Sequence, residues 1–239
     1  MCIRDRDVVL ECTGRFASFA ASYQHITSGA GQVVQSHPGG EGVDACVIMG
    51  VNEHLLANAM PKVYSIGSCT TNAVAPVLAM IEGLSPIVEG SLVSVHAYTN
   101  DQSLVDNHHN DLRRARAAAY SIIPTKTGAC KAVSKVMPHL AGKLMGYALR
   151  VPTANVSMVD CTLRLKDAVS VDKLRAYISQ SLASATGEVL VCTDEPLVSV
   201  DFNHHPASSV IDMSLLDVVG KTVRVAIWYD NEWGYVNRL

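Results

Sequence analysis

The sequence predicts an α/β layer followed by an α+β domain whose sheet is mostly antiparallel. Three observations carry this. Near the N-terminus, short apolar runs closed by turn residues read as buried parallel strands: Asp7–Thr13 stopped by Gly14, then Gln32–Gln35 and Ala45–Met49 with Ser36-His37-Pro38-Gly39-Gly40 between them. A helical period follows, with Val74, Val77, Leu78 and Ile81 at i, i+3, i+4 and i+7. Further on, Val159, Cys161, Leu163 and Leu165 alternate with Asp160, Thr162, Arg164 and Lys166, the pattern of a half-exposed antiparallel strand.

The remaining elements follow in order. The central helix runs from about Thr70 to Glu82, with Ser68 or Cys69 as its cap and Gly83 as its stop. Leu92–His96 reads as a strand, Asp101–Arg116 as a long polar excursion ending in Arg113, Arg114 and Arg116, and Lys131–Leu140 as a second helix. Leu174, Tyr177, Ile178 and Leu182 give a helix behind Ser170, and Leu197–Phe202 and Val223–Tyr229 supply two more strands. There is no internal repeat. No Gly-x-Gly-x-x-Gly occurs and the chain opens almost on a strand, so its start reads as the middle of a domain.

Composition excludes several classes. With 239 residues, 49% hydrophobic and 17% charged, the chain can bury one large core or about two small ones, and it is neither a low-complexity nor a coiled-coil sequence. A net charge of -3 argues against nucleic acid as a partner. The longest uncharged apolar stretch, Val63 to Ile81, carries Ser65, Ser68, Thr70, Thr71 and Asn72 at its centre, which a bilayer would leave unsatisfied, so no membrane span is expected. Seven cysteines, odd in number and never in a Cys-x-x-Cys pair, indicate neither a disulfide framework nor a zinc knuckle. Met1 to Arg6 has no apolar stretch behind its charges, and a cytoplasmic location is expected.

Ser68-Cys69-Thr70-Thr71-Asn72 sets a cysteine at a helix start, where unpaired N–H groups and the helix dipole favour a thiolate. The plain alternative is a buried structural cysteine. His96 closes a strand, from where an imidazole can meet that cysteine as a general base; a surface or satisfied core histidine is the competing reading. His108-His109 and His204-His205 lack the i, i+4 spacing of a helical metal site, and no metal is expected.

Six segments together carry a family resemblance: Ser68–Asn72, His96–Gln102, Asp111–Arg116, Thr127-Gly128, Arg150–Ser157 and Trp228–Tyr235. In order and spacing the chain from about Asp7 to Leu239 resembles the phosphorylating glyceraldehyde-3-phosphate dehydrogenases. The resemblance implies the C-terminal part of a Rossmann-type dinucleotide domain over residues 1–68, an α+β catalytic domain over 69–230, and the start of a returning C-terminal helix segment over 231–239. It implies Cys69 as nucleophile and His96 as base. Thr99, Asp101 and Arg150 would hold the substrate phosphate, and Ser68, Thr70, Thr127, Gly128 and Arg114 the attacking phosphate, since hydroxyls, a glycine N–H and guanidinium forks bind phosphate well. Thr13, Gly14 and Ser36 would contact NAD, Asn231 its carboxamide, and Tyr235 would pack nearby. A phosphorylated aldehyde, inorganic phosphate and a homotetrameric assembly complete the expectation.

The chain also departs from the family. The N-terminal Gly-rich turn, the ribose-gripping acid and the closing C-terminal helix are missing, and Met1–Arg6 matches nothing in it and reads as a scar. The chain therefore reads as an internal stretch, one that by itself binds NAD weakly and turns over little. Ala73 stands where a second cysteine is usual. Asn107-His108 replaces the Leu-Pro or Gly-Pro of NAD-restricted members and leaves NADP open. Within the superfamily, Ser36–Gly39 and Pro196–His204 resemble erythrose-4-phosphate dehydrogenase, whereas Thr99 and Thr127-Gly128 resemble the phosphorylating enzyme. Two readings from other classes stay open: a Cys/His hydrolase without a dinucleotide, and a non-catalytic fragment that only packs against other subunits.

Overall fold

The computed structural model describes residues 6–184 and 189–239. The first layer is a parallel sheet of β1 (Val8–Glu11), β2 (Gln32–Gln35), β3 (Ala45–Cys46) and β4 (Val63–Ser65) in the order β1-β2-β4-β3. Its helices are α1 (Phe19–Thr27) and α2 (His54–Ala59). Buried Gln35 ties β2 to the entrance of α1, its two Nε2 hydrogens shared among Phe16 O, Ala17 O and Ser22 Oγ, all 2.9–3.0 Å away. The periodicity did not announce α1, because Ser22 alone of its residues is fully buried and no apolar stripe is needed.

From this layer the chain enters α3 (Cys69–Leu84) and crosses into a seven-stranded sheet. That sheet contains β5 (Ile87–Ala97), β6 (Ile123–Thr125), β7 (Leu144–Val151), β8 (Ser157–Leu165), β9 (Leu190–Thr193), β10 (Ser209–Val219) and β11 (Thr222–Tyr229), in the order β6-β7-β5-β8-β11-β10-β9. Pairing is antiparallel except at β5/β7 and β9/β10, as the mostly antiparallel expectation required. α3 lies on the inner face, with ten residues from Thr70 to Ile81 buried. Facing it are Leu92, Val159, Cys161, Leu163, Val223, Val225 and Ile227. Each such side chain contributes roughly 1.5–3 kcal/mol of burial, so this interface is the main core. Pro76 inside α3 frees the Asn72 carbonyl, and Ser209 Oγ from β10 approaches the gap, donating to Ala73 O at 2.6 Å. The helices α4 (Ala129–Val136) and α5 (Val171–Ser184) pack on α3, and a short α6 (Trp233–Val236) returns toward it. Among the described residues no helix is long and apolar enough to cross a membrane.

Several boundaries differ from the expectation. Gly83 does not stop α3: the helix runs on to Leu84, and a Cβ at Gly83 would meet Tyr177 Oη at 2.4 Å, so the glycine admits α5. The run Ala45–Met49 pairs only at Ala45–Cys46, because the Asn52 side chain takes Ile48 N–H and Cys46 O at 2.8 and 2.9 Å. The helix placed at Lys131–Leu140 starts at Ala129 and breaks at Met137, since Pro138 disfavours helical backbone before it; a 3-10 turn then covers Pro138–Leu140. Leu197–Phe202 is not a strand. Asp201 Oδ2 accepts from Val198 N at 2.8 Å and winds Ser199–Phe202 into a 3-10 turn that leaves Val198 and Val200 exposed. The expectation for Met1–Arg6 lies, but for Arg6, outside the described residues.

Candidate active site

Ser68 caps α3, its Oγ accepting from Thr71 N at 3.1 Å, and this fixes Cys69 as the first helical residue. Burial pushes the Cys69 thiol up, outweighing the hydrogen bonds from Thr70 and the charge of Arg150. Cys46, Cys130, Cys161 and Cys192 are also raised by burial, so acidity does not single out Cys69. Its neighbour does.

His96 Nε2 stands 3.5 Å from Cys69 Sγ. Alternation along β5 turns Leu92, Ser94 and His96 to the same inner face, beneath the start of α3. His96 is buried and its pKa falls to about 4, through desolvation first and the Arg150 charge second, so the ring is neutral near pH 7. Its Nδ1 lies 2.7 Å from Ala97 O and 2.8 Å from Arg150 Nη1. A carbonyl only accepts and a guanidinium only donates, so the ring satisfies one at a time. Donating to Ala97 O, it keeps a lone pair on Nε2 toward the sulfur; accepting from Arg150, it presents Nε2–H there.

Arg150 reaches Ala97 O at 3.0 Å and Thr99 Oγ1 at 3.4 Å, while its buried Nε has no partner among the described residues. Such a donor beside a neutral base is suited to an anion. Arg114, expected at the attacking phosphate, pairs through Nη1 with Asp101, expected at the substrate phosphate, and its Nε donates to Thr125 Oγ1 at 2.8 Å. The Asp101 and Arg114 groups therefore adjoin. Thr127 and Gly128 stand at the start of α4, where Thr127 Oγ1 accepts from Ala129 N at 3.2 Å. An open depression of about 790 Å³ beside Thr127 is lined by Asp111, Arg113, Thr125 and Tyr147.

Three of the dinucleotide candidates stand at the carboxyl edge of the parallel sheet. Thr13 and Gly14 follow β1 and Ser36 follows β2; Ser36 N donates to Glu11 O at 3.0 Å. Gly14 holds φ +68° with open space where a Cβ would stand. Tyr235 Oη donates to Gly67 O at 3.0 Å, bringing its ring beside the loop that enters α3. Asn231 is buried, and its Oδ1 accepts from Ser157 Oγ at 2.7 Å.

Two residues here were missed. Glu11 is a buried carboxylate whose Oε1 accepts from Thr13 N and Oγ1 at 2.7 and 2.5 Å. Burial raises its pKa, but these bonds and the charge of His25 bring it below the ordinary value. A lone acid ending an apolar run was its signal. Tyr229 lies wholly inside, where burial raises its hydroxyl; Oη bonds Thr70 Oγ1 at 2.9 Å and Ser94 Oγ at 3.3 Å, and the ring meets His96 edge-on at 6.0 Å. Its place in an alternating strand gave no hint of this.

A helix-start thiol against a strand-end imidazole, mounted on a mostly antiparallel sheet, defines the class: an α+β catalytic domain. Residues 68–231 match the family described as "Glyceraldehyde 3-phosphate dehydrogenase, C-terminal domain". The chain is 47% identical over 233 residues to "Glyceraldehyde-3-phosphate dehydrogenase, plasmid" of Cupriavidus necator, covering 98% of this chain and 69% of that protein. It is 48% identical, with the same coverage, to the glyceraldehyde-3-phosphate dehydrogenase of Pseudomonas aeruginosa, and 45% identical to glyceraldehyde-3-phosphate dehydrogenase 2 of Bacillus subtilis, again over 98% of this chain and 69% of the relative. The chain belongs to the glyceraldehyde-3-phosphate dehydrogenase family, a family of oxidoreductases that use a nicotinamide dinucleotide.

Proposed function

We propose that this protein oxidises glyceraldehyde 3-phosphate with NAD or NADP and inorganic phosphate, giving 1,3-bisphosphoglycerate through a thioester on Cys69. The observation that carries the reading is the 3.5 Å approach of Cys69 Sγ to a neutral His96 Nε2. Cys69 Sγ adds to the aldehyde carbon while His96 Nε2 takes the thiol proton; the resulting imidazolium stabilises the thiohemiacetal oxygen. A nicotinamide dinucleotide held by Thr13, Gly14, Ser36, Asn231 and Tyr235 would supply the hydride acceptor for that carbon, leaving a thioester on Cys69. A phosphate oxygen then attacks the thioester carbonyl and Cys69 leaves as thiolate.

Arg150, with its orphaned Nε, Thr99 and Asp101 are assigned to the substrate phosphate. Ser68, Thr70, Thr127, Gly128 and Arg114 are assigned to the attacking phosphate. The chain's own groups fit a dinucleotide: Thr13, Gly14 and Ser36 occupy the strand-end edge where parallel sheets bind such ligands, and Gly14 leaves that edge open. We assign residues 1–68 to the dinucleotide domain, 69–230 to the catalytic domain and 231–239 to the returning segment, within a cytoplasmic homotetramer.

The test is to supply the full gene product with glyceraldehyde 3-phosphate or erythrose 4-phosphate, with NAD or NADP, with and without inorganic phosphate, and to identify the product. Phosphate-dependent formation of an acyl phosphate supports the reading. A free acid made at the same rate without phosphate refutes it.

A further inference from the structure

We propose that Ser157 is a positioning residue that turns the Asn231 amide so that its Nδ2 hydrogens face the nicotinamide carboxamide; this rests on the assignment of Asn231 to the dinucleotide. Ser157 opens β8, opposite Tyr229 on β11, and is buried. Ala97 N donates to Ser157 Oγ at 3.1 Å. Asn231 Oδ1, 2.7 Å away, can only accept, so the serine proton goes there while Ala97 N–H takes a serine lone pair. With its oxygen engaged, Asn231 has only the Nδ2 hydrogens left, and among the described residues no hydrogen bond occupies them. A carboxamide oxygen is the complementary acceptor. Without the serine proton the amide is free to turn over and present its oxygen instead.

The backbone supports this assignment. Val156 holds φ +68°, a costly conformation for a buried β-branched residue. It is pinned from both sides: Asn155 Nδ2 donates to Asp230 Oδ2 at 2.9 Å, and Ser157 bonds the next residue, Asn231. The same serine tethers Ala97, whose carbonyl faces His96 Nδ1. One hydroxyl thus joins the end of the strand carrying the base to the residue that addresses the nicotinamide.

Calorimetric titration of the full gene product with NAD and with ADP-ribose, which lacks the nicotinamide ring, tests this. Ser157→Ala is expected to weaken NAD by about tenfold, the loss of one buried hydrogen bond, and to leave ADP-ribose unchanged. Asn231→Ala is expected to do the same, and the double variant to bind NAD no worse than Asn231→Ala alone. Ser157→Cys keeps the shape while weakening both bonds, and shows the same split at smaller size if the alanine variant does not fold. Unchanged NAD affinity, parallel losses of NAD and ADP-ribose, or additive losses in the double variant overturn the proposal. If Asn231→Ala itself binds NAD normally, the assignment of Asn231 falls, and this inference with it.

Discussion

The two sheets hold their candidate groups in different ways. The parallel sheet offers turns: Thr13, Gly14 and Ser36 stand just past strand ends, where the Glu11 carboxylate accepts from Thr13 and the Glu11 backbone carbonyl from Ser36 N. The larger sheet offers side chains from the strands themselves, with Ser94, His96, Ser157 and Tyr229 on one buried face under α3. The contrast extends to packing, since β1 leaves Val8 and Leu10 about half exposed whereas the inner face of β8 is closed. Binding by turns tolerates adjustment; proton transfer between two side chains needs a rigid mount.

The comparison breaks first at the nucleophile. Cys69→Ser is expected to lower kcat on the order of 10⁴-fold with the fold intact, measured by nicotinamide absorbance and circular dichroism. A serine variant that keeps dehydrogenase activity would show that the larger sheet is not the chemical half. Iodoacetamide should label Cys69 ahead of exposed Cys12 at pH 7, because His96 Nε2 beside the sulfur can take its proton and leave the reactive thiolate.

His96 supplies the next effect. Its pKa is lowered from 6.5 to about 4, so the unfolded chain binds the extra proton first as pH falls. The stability this neutral ring contributes is complete above 6.5 and lost on going down to 4, on the order of 3 kcal/mol. Urea unfolding across that window should show the decline in the parent and a flatter profile in His96→Asn.

Third, Arg150→Leu should raise KM for the phosphorylated aldehyde, and Thr127→Ala should chiefly weaken the dependence on inorganic phosphate, each by roughly 1.5–3 kcal/mol. Equal effects of either variant on both substrates refute the two-site assignment. The smallest change belongs to the parallel sheet. Glu11→Gln keeps the acceptor but not the charge, and should raise KM for the dinucleotide by roughly 1 kcal/mol with kcat unchanged.

The sequence was most legible where one periodicity met one environment. The alternation from Val159 to Leu165 packs one face on the core, the helix after Ser68 is buried at every position from Thr70 to Leu78, and both stood near their predicted bounds. β7 and β10 escaped notice for opposite reasons. In β7, Gly146 is a glycine because a Cβ there would stand 2.3 Å from Leu92 O, and exposed Met145 and Tyr147 break the polar-outward rule. In β10, a register shift between Asp212 and Asp217 interrupts the period, and buried Asp212 is held by Trp228 Nε1 at 3.1 Å. The Cys69–His96 pair was legible as two residue types at two element ends. Glu11, Ser157 and Tyr229 were not, because their roles depend on partners brought from distant parts of the chain.

α3 is at once the mount of the nucleophile and the most enclosed element of the core. Its amide hydrogens beyond the first turn can reach deuterated solvent only when the whole domain opens, whereas those of the turn at Thr13-Gly14 need no such event. Heat inactivation and global unfolding should therefore follow one curve, since the helix that aims Cys69 has no separate way to melt.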